Sequence, residues 1–288
     1  MMSPKSLWPF QRSSVKSVPK VDTATTGLNS QAVAVTHLLE APGDYDGIEV
    51  SGQPGKDCHL GLLSEEGIGK AKVVVRFVGG KQHDHVSIVL GKLNAGKVAI
   101  LVHGSDVQVK IGCSKLMNVH VPIGPNAALM IGDHTTCQNT FIAVKHGQIT
   151  IGEDCMISGQ VNIDAAMHHA VVDLSASEPR IENDPRHLKV GEHVWIGNGA
   201  ALIGNCEVGS GAIIGRSAIV GGKVPARTVS VGNPARVIRT DVTWTRVPHD
   251  IDPKAQSYIE SHVEAAAASS KMSGTSSAAH VISEGNNP

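Results

Sequence analysis

The sequence predicts an all-β chain wound as a parallel β-helix, and three observations indicate this fold class. The central part of the chain repeats every six residues. Only 3% of the residues are aromatic, although 41% are hydrophobic and glycine occurs 31 times. No segment before residue 252 has the pattern of a long helix. Because the coils of a β-helix stack aliphatic side chains inside and have no room for large rings, the period and the composition point to the same core.

The period is clearest after residue 190. Each aliphatic residue is followed by glycine, with one exception, and neither an α-helix nor an alternating strand repeats every six residues. Each hexapeptide would therefore form one side of a triangular coil. The aliphatic positions are Val190, Ile196, Leu202, Val208, Ile214 and Val220.

Before residue 190 the pattern weakens, and the chain divides accordingly. We assign residues 111–240 to the β-helix, with a reset of two residues at Ile131-Gly132. Residues 36–110 contain strand-like segments that fit the six-residue template poorly, so they are irregular early coils or a small separate β-domain. Between Ile163 and Val190 the period disappears, which predicts a long inserted loop over residues 164–189. Such an insertion is more often functional than accidental.

The two ends of the chain have a different character. Residues 1–35 and 269–288 are polar and lack an apolar period, so each is predicted to be a disordered tail. The C-terminal tail is part of the segment 241–288, which also contains a helix. One short C-terminal helix is predicted over residues 252–268. Asp252 would cap it and Pro253 would occupy its first position.

Charge and composition exclude several classes of protein. The chain has 25 basic and 26 acidic residues, which argues against nucleic-acid binding through a basic surface. It has no apolar run of eighteen residues, so no membrane span is expected. Its five cysteines are far apart and odd in number, which favours reduced thiols in the cytoplasm.

Residues 190–239 resemble the left-handed β-helix, hexapeptide-repeat acyltransferases. The resemblance lies in the Gly-x-His-Val-Trp-Ile-Gly segment at Gly191–Gly197 and in the closing Val-Gly-Asn-Pro-Ala-Arg-Val-Ile-Arg at Val231–Arg239. It implies a left-handed coil and a homotrimer. It also implies that acetyl-CoA lies along the cleft between neighbouring prisms.

The inserted loop carries a second resemblance. His169-Ala-Val-Val-Asp173, followed by Arg180-Ile181, is similar to the loop of the sugar and exopolysaccharide O-acetyltransferases of that family. The similarity implies that His169 is the general base, that Asp173 orients its ring and that a sugar or polysaccharide precursor is the acceptor. A neutral imidazole suits the task, because the poorly nucleophilic hydroxyl must lose its proton as it attacks the thioester.

Other histidines compete for this role. His168 precedes His169, and a shift of one residue in the alignment would exchange them. His187, in Arg186-His187-Leu188-Lys189, resembles an element of the serine O-acetyltransferases. The remaining alternative is that all three histidines are solvated loop residues without a catalytic role.

The resemblance also implies which residues hold acetyl-CoA. Trp195 would wall the channel, backbone amides of the last coils would follow the pantetheine arm, and arginines would lie near the phosphates, which their planar donor fork suits. The implied residues are Trp195, Gly197, Ala218, Lys223, Asn233, Arg236 and Arg239. No metal is expected, because the ligand positions of the β-helical γ-class carbonic anhydrases are occupied here by Asn198 and Ile203.

The favoured function is therefore an acetyl-CoA-dependent O-acetyltransferase acting on a sugar or polysaccharide hydroxyl. Two alternatives remain open. One is an enzyme like the serine O-acetyltransferases, and the other is a trimeric scaffold or sugar-binding module without catalysis.

Overall fold

The computed structural model describes residues 33–166, 169, 171–175, 180–182 and 184–262. These residues form 25 strands and one helix, α1, which covers residues 253–262. Within the described residues, this helix is too short to cross a membrane, and no other helix could do so.

The first sheet has nine strands. β1 pairs antiparallel with β4, and the other pairings are parallel. In sheet order the strands are β1 (Val35–Leu38), β4 (His59–Leu62), β6 (Val86–Leu90), β8 (Val107–Ile111), β10 (Ala127–Ile131), β12 (Gly147–Ile151), β17 (Arg186–Val190), β20 (Glu207–Val208) and β23 (Lys223–Val224).

The second sheet has fourteen strands and supplies two sides of the coil. Its main path is β2 (Gly43–Tyr45), β3 (Ile48–Ser51), β5 (Lys72–Phe77), β7 (Lys97–Val102), β9 (Met117–Ile123), β11 (Thr136–Val144), β13 (Met156–Ile157), β18 (Trp195–Ile196), β21 (Ile213–Ile214), β24 (Thr228–Val231) and β25 (Arg236–Thr240). The far end of β11 starts a branch of β14 (Asn162–Ala165), β19 (Ala201–Ile203) and β22 (Ile219–Val220). Together the first sheet, the main path and the branch give the later coils three sides, as expected for the left-handed β-helix.

The strand register explains where the six-residue period succeeds and where it fails. On the first sheet Ile111, Ile131 and Ile151 are aligned in one buried column, which Val190 and Val208 continue. The coil from Val190 to Val208 is a whole number of hexapeptides long, whereas the coils that start at Ile111 and Ile131 each contain two additional residues. The reset at Ile131 reflects these longer coils. They blur the hexapeptide pattern without changing the inward position of the aliphatic residues.

The strands before Ile111 belong to the same stack. β3, β5, β7 and β9 pair in parallel register along the second sheet. β4, β6, β8 and β10 do so along the first. Their buried residues lie in one hydrophobic cluster with those of the later coils, from Leu39 to Val224.

Two predicted boundaries change. The loop expected over residues 164–189 is shorter, because β14 continues to Ala165 and β17 begins at Arg186. Within it, β15 (Val171–Asp173) and β16 (Arg180–Glu182) form an antiparallel hairpin, so the insertion is not structureless as predicted. At the N-terminal end, Val35 already pairs with Leu62, which shortens the predicted tail. The rest of both predicted tails, and the helix after residue 262, lie outside the described residues.

The predicted start of α1 is correct. The Asp252 carboxylate accepts hydrogen bonds from the amides of Lys254 and Ala255, at 3.0 and 3.2 Å. Pro253 occupies the first helical position, where a missing N–H costs nothing. An N-terminal acid also opposes the partial positive charge of the helix end.

Glycine is required where the chain leaves the first sheet. A Cβ atom added to Gly132 would lie 2.5 Å from the amide nitrogen of Glu153 in the next coil. We expect Gly132→Ala to cost about 1–3 kcal/mol of folding stability, because two coils must move apart. Gly222→Ala is the matched control, since a Cβ there meets no atom within 4 Å. Thermal unfolding of both variants tests this, and equal midpoints would contradict the steric explanation.

Candidate active site

The inserted loop leaves the solenoid after the branch strand β14 and returns to the first sheet at β17. We call this edge of the prism the loop corner. His169 lies within the loop, and its side chain is exposed. His187 lies on β17 and is also exposed, while its amide donates to Oδ1 of Asn205 at 2.7 Å. Lys223 shares this corner, and its Nζ lies 3.1 Å from Glu207 Oε2. His168 falls outside the described residues.

Asp173 lies at the end of β15, opposite Arg180 in the hairpin register. Its Oδ1 accepts hydrogen bonds from the amide and the hydroxyl of Ser175, at 2.8 and 2.6 Å. The carboxylate therefore closes a local turn at the tip of the hairpin. This contact fixes the carboxylate in the same short loop that carries His169.

Trp195 lies on the main path of the second sheet. Its indole N–H donates to Ser158 Oγ at 3.3 Å, and the residue is 36% exposed. Gly197 and Ala218 follow at the corner between the main path and the branch. Both amides already donate within the solenoid, Gly197 to Ile214 O at 2.7 Å and Ala218 to Gly215 O at 3.2 Å. Both residues are buried, so neither offers a ligand a free amide or an exposed surface.

The remaining predicted residues lie at the C-terminal end of the stack. Asn233 is exposed in the turn after β24. Arg236 and Arg239 lie on β25, which runs antiparallel along β24, and both are exposed. Arg236 donates one hydrogen bond to Ala235 O at 3.0 Å. The outer edge of β25 thus presents two guanidinium groups, which are suited to phosphate oxygens.

The structure separates the predicted residues into two groups. His169, Asp173, His187 and Lys223 belong to the loop corner. The other group lies on the main path, on the corner after it and on the last turn: Trp195, Gly197, Ala218, Asn233, Arg236 and Arg239. The two groups therefore occupy different sides of one prism. Among the described residues, no group of three His, Cys, Asp or Glu side chains is placed to hold a metal ion.

A further cluster lies at the third corner, between the first sheet and the main path. Residues 241–252, which we call the strap, run back along this corner from the last coil. Val242 N donates to Arg227 O at 3.1 Å and Thr243 Oγ1 to Gly211 O at 3.3 Å. Trp244 Nε1 then donates to His193 O at 2.8 Å. The strap therefore binds successive coils.

Arg246 is the strap residue that contacts the coils farthest from the C-terminal end, at Thr136 and Asp154. Its Nη2 donates to Asp154 Oδ1 at 2.9 Å, and Asp154 Oδ2 lies 2.8 Å from Nδ1 of the buried His193. Burial by itself would raise the pKa of Asp154. Hydrogen bonds from His193 and Arg246 outweigh burial, and the pKa lies below its ordinary value. The carboxylate therefore stays charged and holds both the His193 ring and the Arg246 guanidinium.

Sequence reasoning missed this cluster. His193 was noted only as part of the motif before Trp195, and Trp244, Arg246 and Tyr258 had no assigned role. The one available signal was the occurrence of two of the chain's few aromatic residues after the last repeat, where a disordered tail would not need them.

Comparison with known proteins agrees with the fold. Residues 187–222 match the family model described as bacterial transferase hexapeptide (six repeats). The chain is 29% identical over 119 residues to the polysialic acid O-acetyltransferase of Escherichia coli O1:K1 / APEC, covering 41% of this chain and 38% of that protein. It is 37% identical over 90 residues to the serine acetyltransferase of Escherichia coli strain K12, covering 31% of this chain and 30% of that protein. The chain thus spans less than half the length of either relative.

A solved structure extends the likeness to most of the chain. The crystal structure of the polySia specific acetyltransferase NeuO superposes with a TM-score of 0.61 at 21% identity, covering 75% of this chain and 99% of that chain. At this identity the superposition supports the fold.

Proposed function

We propose that the chain, whose residues 187–222 match the hexapeptide-repeat family of transferases, transfers an acetyl group from acetyl-CoA to a hydroxyl of a sugar or polysaccharide precursor. One observation carries the proposal. The solenoid is interrupted by a long insertion among its later coils, and that insertion presents the exposed His169. The similarity to a polysialic acid O-acetyltransferase supports a sugar acceptor.

In the proposed reaction His169 accepts the proton of the acceptor hydroxyl. The hydroxyl oxygen then bonds to the thioester carbonyl carbon, and the carbon–sulfur bond breaks. The proton held by the imidazole passes to the departing CoA sulfur, so the ring is neutral again at the end of the cycle. A positioned base of this kind contributes about 10²–10⁴-fold. No covalent intermediate with the protein is needed, which agrees with the burial of four of the five cysteines.

Acetyl-CoA would be held by the second group of residues. Trp195 provides an exposed aromatic face, and Gly197 and Ala218 are buried in the corner that follows it. Arg236 and Arg239 would contact the phosphates from β25.

All five cysteines are free thiols, which is consistent with a reaction in the cytoplasm.

The separation of the two groups supports a homotrimer. In a closed ring of three prisms, the loop corner of one copy would face the second sheet of its neighbour, and each cleft would contain both groups. Mixed assemblies test this arrangement. Co-expressed His169→Ala and Arg236→Ala chains should regain activity at low acetyl-CoA, because some clefts then contain both intact residues. Activity no higher than that of the separate variants would place the whole site within one chain.

The direct test of the function is release of CoA thiol from acetyl-CoA with a panel of sialic acid polymers, neutral oligosaccharides and serine. Acetylation of a sugar is the expected result. Preference for serine would favour the second candidate, which rests on the serine acetyltransferase similarity and on the position of His187 in β17. Absence of transfer to any acceptor would favour a scaffold or binding module.

We expect Arg236→Ala to raise the KM for acetyl-CoA about tenfold with little change in kcat. The guanidinium would contact the phosphates, far from the reacting carbon, so it affects binding of donor and transition state equally. Steady-state kinetics with acetyl-CoA as the varied substrate measure this. Arg76→Ala is a control of the same residue type, exposed on the early strand β5. A fall in kcat at unchanged KM would contradict the assignment.

A further inference from the structure

Within the repeats, the indole N–H of Trp195 donates a hydrogen bond to Ser158 Oγ. Trp195 lies on a two-residue strand and is 36% exposed. Its aromatic neighbour, Trp244, comes from the strap. The ring centroids of Trp195 and Trp244 are 6.4 Å apart and their planes are inclined by 46°, which is within the range of interacting aromatic pairs.

Trp244 is much more firmly held than Trp195. It is 5% exposed, and its indole N–H donates to His193 O. Its ring stacks on the His193 imidazole, with centroids 4.6 Å apart and an angle of 13° between the planes. The guanidinium carbon of Arg246 lies over the ring at 5.1 Å from its centroid. These contacts make Trp244 the rigid member of the tryptophan pair.

His193 is the centre of this arrangement. Tyr258 of α1 stacks on it at 4.5 Å between centroids. Its Nδ1 lies 2.8 Å from Asp154 Oδ2, and its Nε2 lies 3.0 Å from the carbonyl oxygen of Trp244. The ring is therefore fixed at both nitrogens and by stacked rings from the strap and from α1. A displacement of the strap would move Trp244, and with it the ring that lies beside Trp195.

We propose that Trp244, fixed by His193, is a positioning residue that sets the orientation of Trp195 as the wall of the acetyl-CoA site. The inference rests on the role given to Trp195 in the proposed function. Trp244 touches no substrate in this scheme. It acts through Trp195, so its contribution to ligand binding exists only while Trp195 is present.

A double-mutant cycle on CoA binding tests this dependence, with the Kd for CoA measured by titration calorimetry on the full chain. We expect Trp244→Ala to weaken binding about 3- to 10-fold in the wild type and to have no further effect in Trp195→Ala. Trp244→Phe, which keeps a ring against His193, should restore most of the affinity. Gln256→Ala is the control: it removes a hydrogen bond within α1, to Glu260 Oε1, and leaves the strap in place.

A spectroscopic measurement keeps the test decisive if Trp244→Ala does not fold. In protein labelled with 5-fluorotryptophan, the ¹⁹F resonance of Trp195, assigned by Trp195→Phe, should shift in Trp244→Phe and stay in place in Gln256→Ala. An unmoved resonance would overturn the inference.

The binding outcomes separate the two proposals. If Trp195→Ala weakens CoA binding and Trp244→Ala does not, or if their effects multiply, Trp244 is a structural residue and the positioning role is wrong. If Trp195→Ala itself leaves the Kd for CoA unchanged, the assigned role of Trp195 is wrong, and its positioning falls with it.

Discussion

Replacing His169 by alanine should lower kcat for sugar acetylation by about 100-fold or more, while the KM for acetyl-CoA changes by no more than a few-fold. The imidazole acts on the proton of the acceptor hydroxyl and not on the nucleotide, so its loss is felt in the chemical step. In the wild type kcat should rise with pH, because the base must be unprotonated, and this rising limb should be absent from the variant. Stopped-time assays across the pH range measure both effects.

His59→Ala is the matched control for this prediction, because His59 is an exposed histidine on the early strand β4. It should leave kcat unchanged. His187→Ala and His168→Ala distinguish the competing bases. If His187→Ala is inactive and His169→Ala nearly normal, the base occupies the position expected from the serine O-acetyltransferases, and the sugar-type assignment is wrong.

Asp154→Asn should lower the free energy of unfolding by about 3 kcal/mol, because it removes the anion shared by the buried His193 and by Arg246. For a chain of this size the loss corresponds to a fall in Tm of roughly 6–12 °C. Differential scanning calorimetry at neutral pH measures it. Asp57→Asn, whose carboxylate is 72% exposed beside His85, is the matched control and should leave Tm nearly unchanged.

The same carboxylate sets an acid dependence with a definite sign. The pKa of Asp154 is lowered in the folded protein, so its contribution is complete above the unfolded value of about 3.9 and is lost as the pH falls through the folded value. At the start of α1, burial would raise the pKa of Asp252, but bonds from Arg246, Ala255 and Thr245 bring it to about 2. The Tm values of wild type and Asp154→Asn should therefore converge below about pH 4. A constant difference down to pH 3 would contradict the linkage.

The fold was predictable where coil length equals a whole number of hexapeptides. The coil from Val190 to Val208 meets this condition, so its period is visible in the sequence and the aliphatic–glycine pairs follow directly. The coil from Ile111 to Ile131 does not, and it shows only a reset. Its inward residues are as buried as those of the later coils, but their positions follow from stacking and not from a local period. The hairpin in the insertion escaped prediction because two strands of three residues carry too little pattern.

The candidate site was predictable residue by residue but not as an arrangement. The motifs around His169 and Trp195 are local and can be recognised in sequence. Their placement on different sides of the prism depends on how the chain winds between them, which no motif records. The strap cluster depends on contacts such as Arg246 Nη1 to Thr136 Oγ1, between residues 110 positions apart. A single sequence contains no signal for a contact at that distance.

The strap also changes how the molecule can come apart. In a solenoid each coil touches only its neighbours, so the terminal coils normally fray first and independently. Here the last coils have two-residue strands, which would make that end the weakest. Because one continuous segment joins Arg227 in the last coil to Thr136 in the middle of the stack, the terminal turns cannot open unless the strap detaches from every coil that it crosses. We therefore expect the C-terminal half to unfold as one cooperative unit and not repeat by repeat.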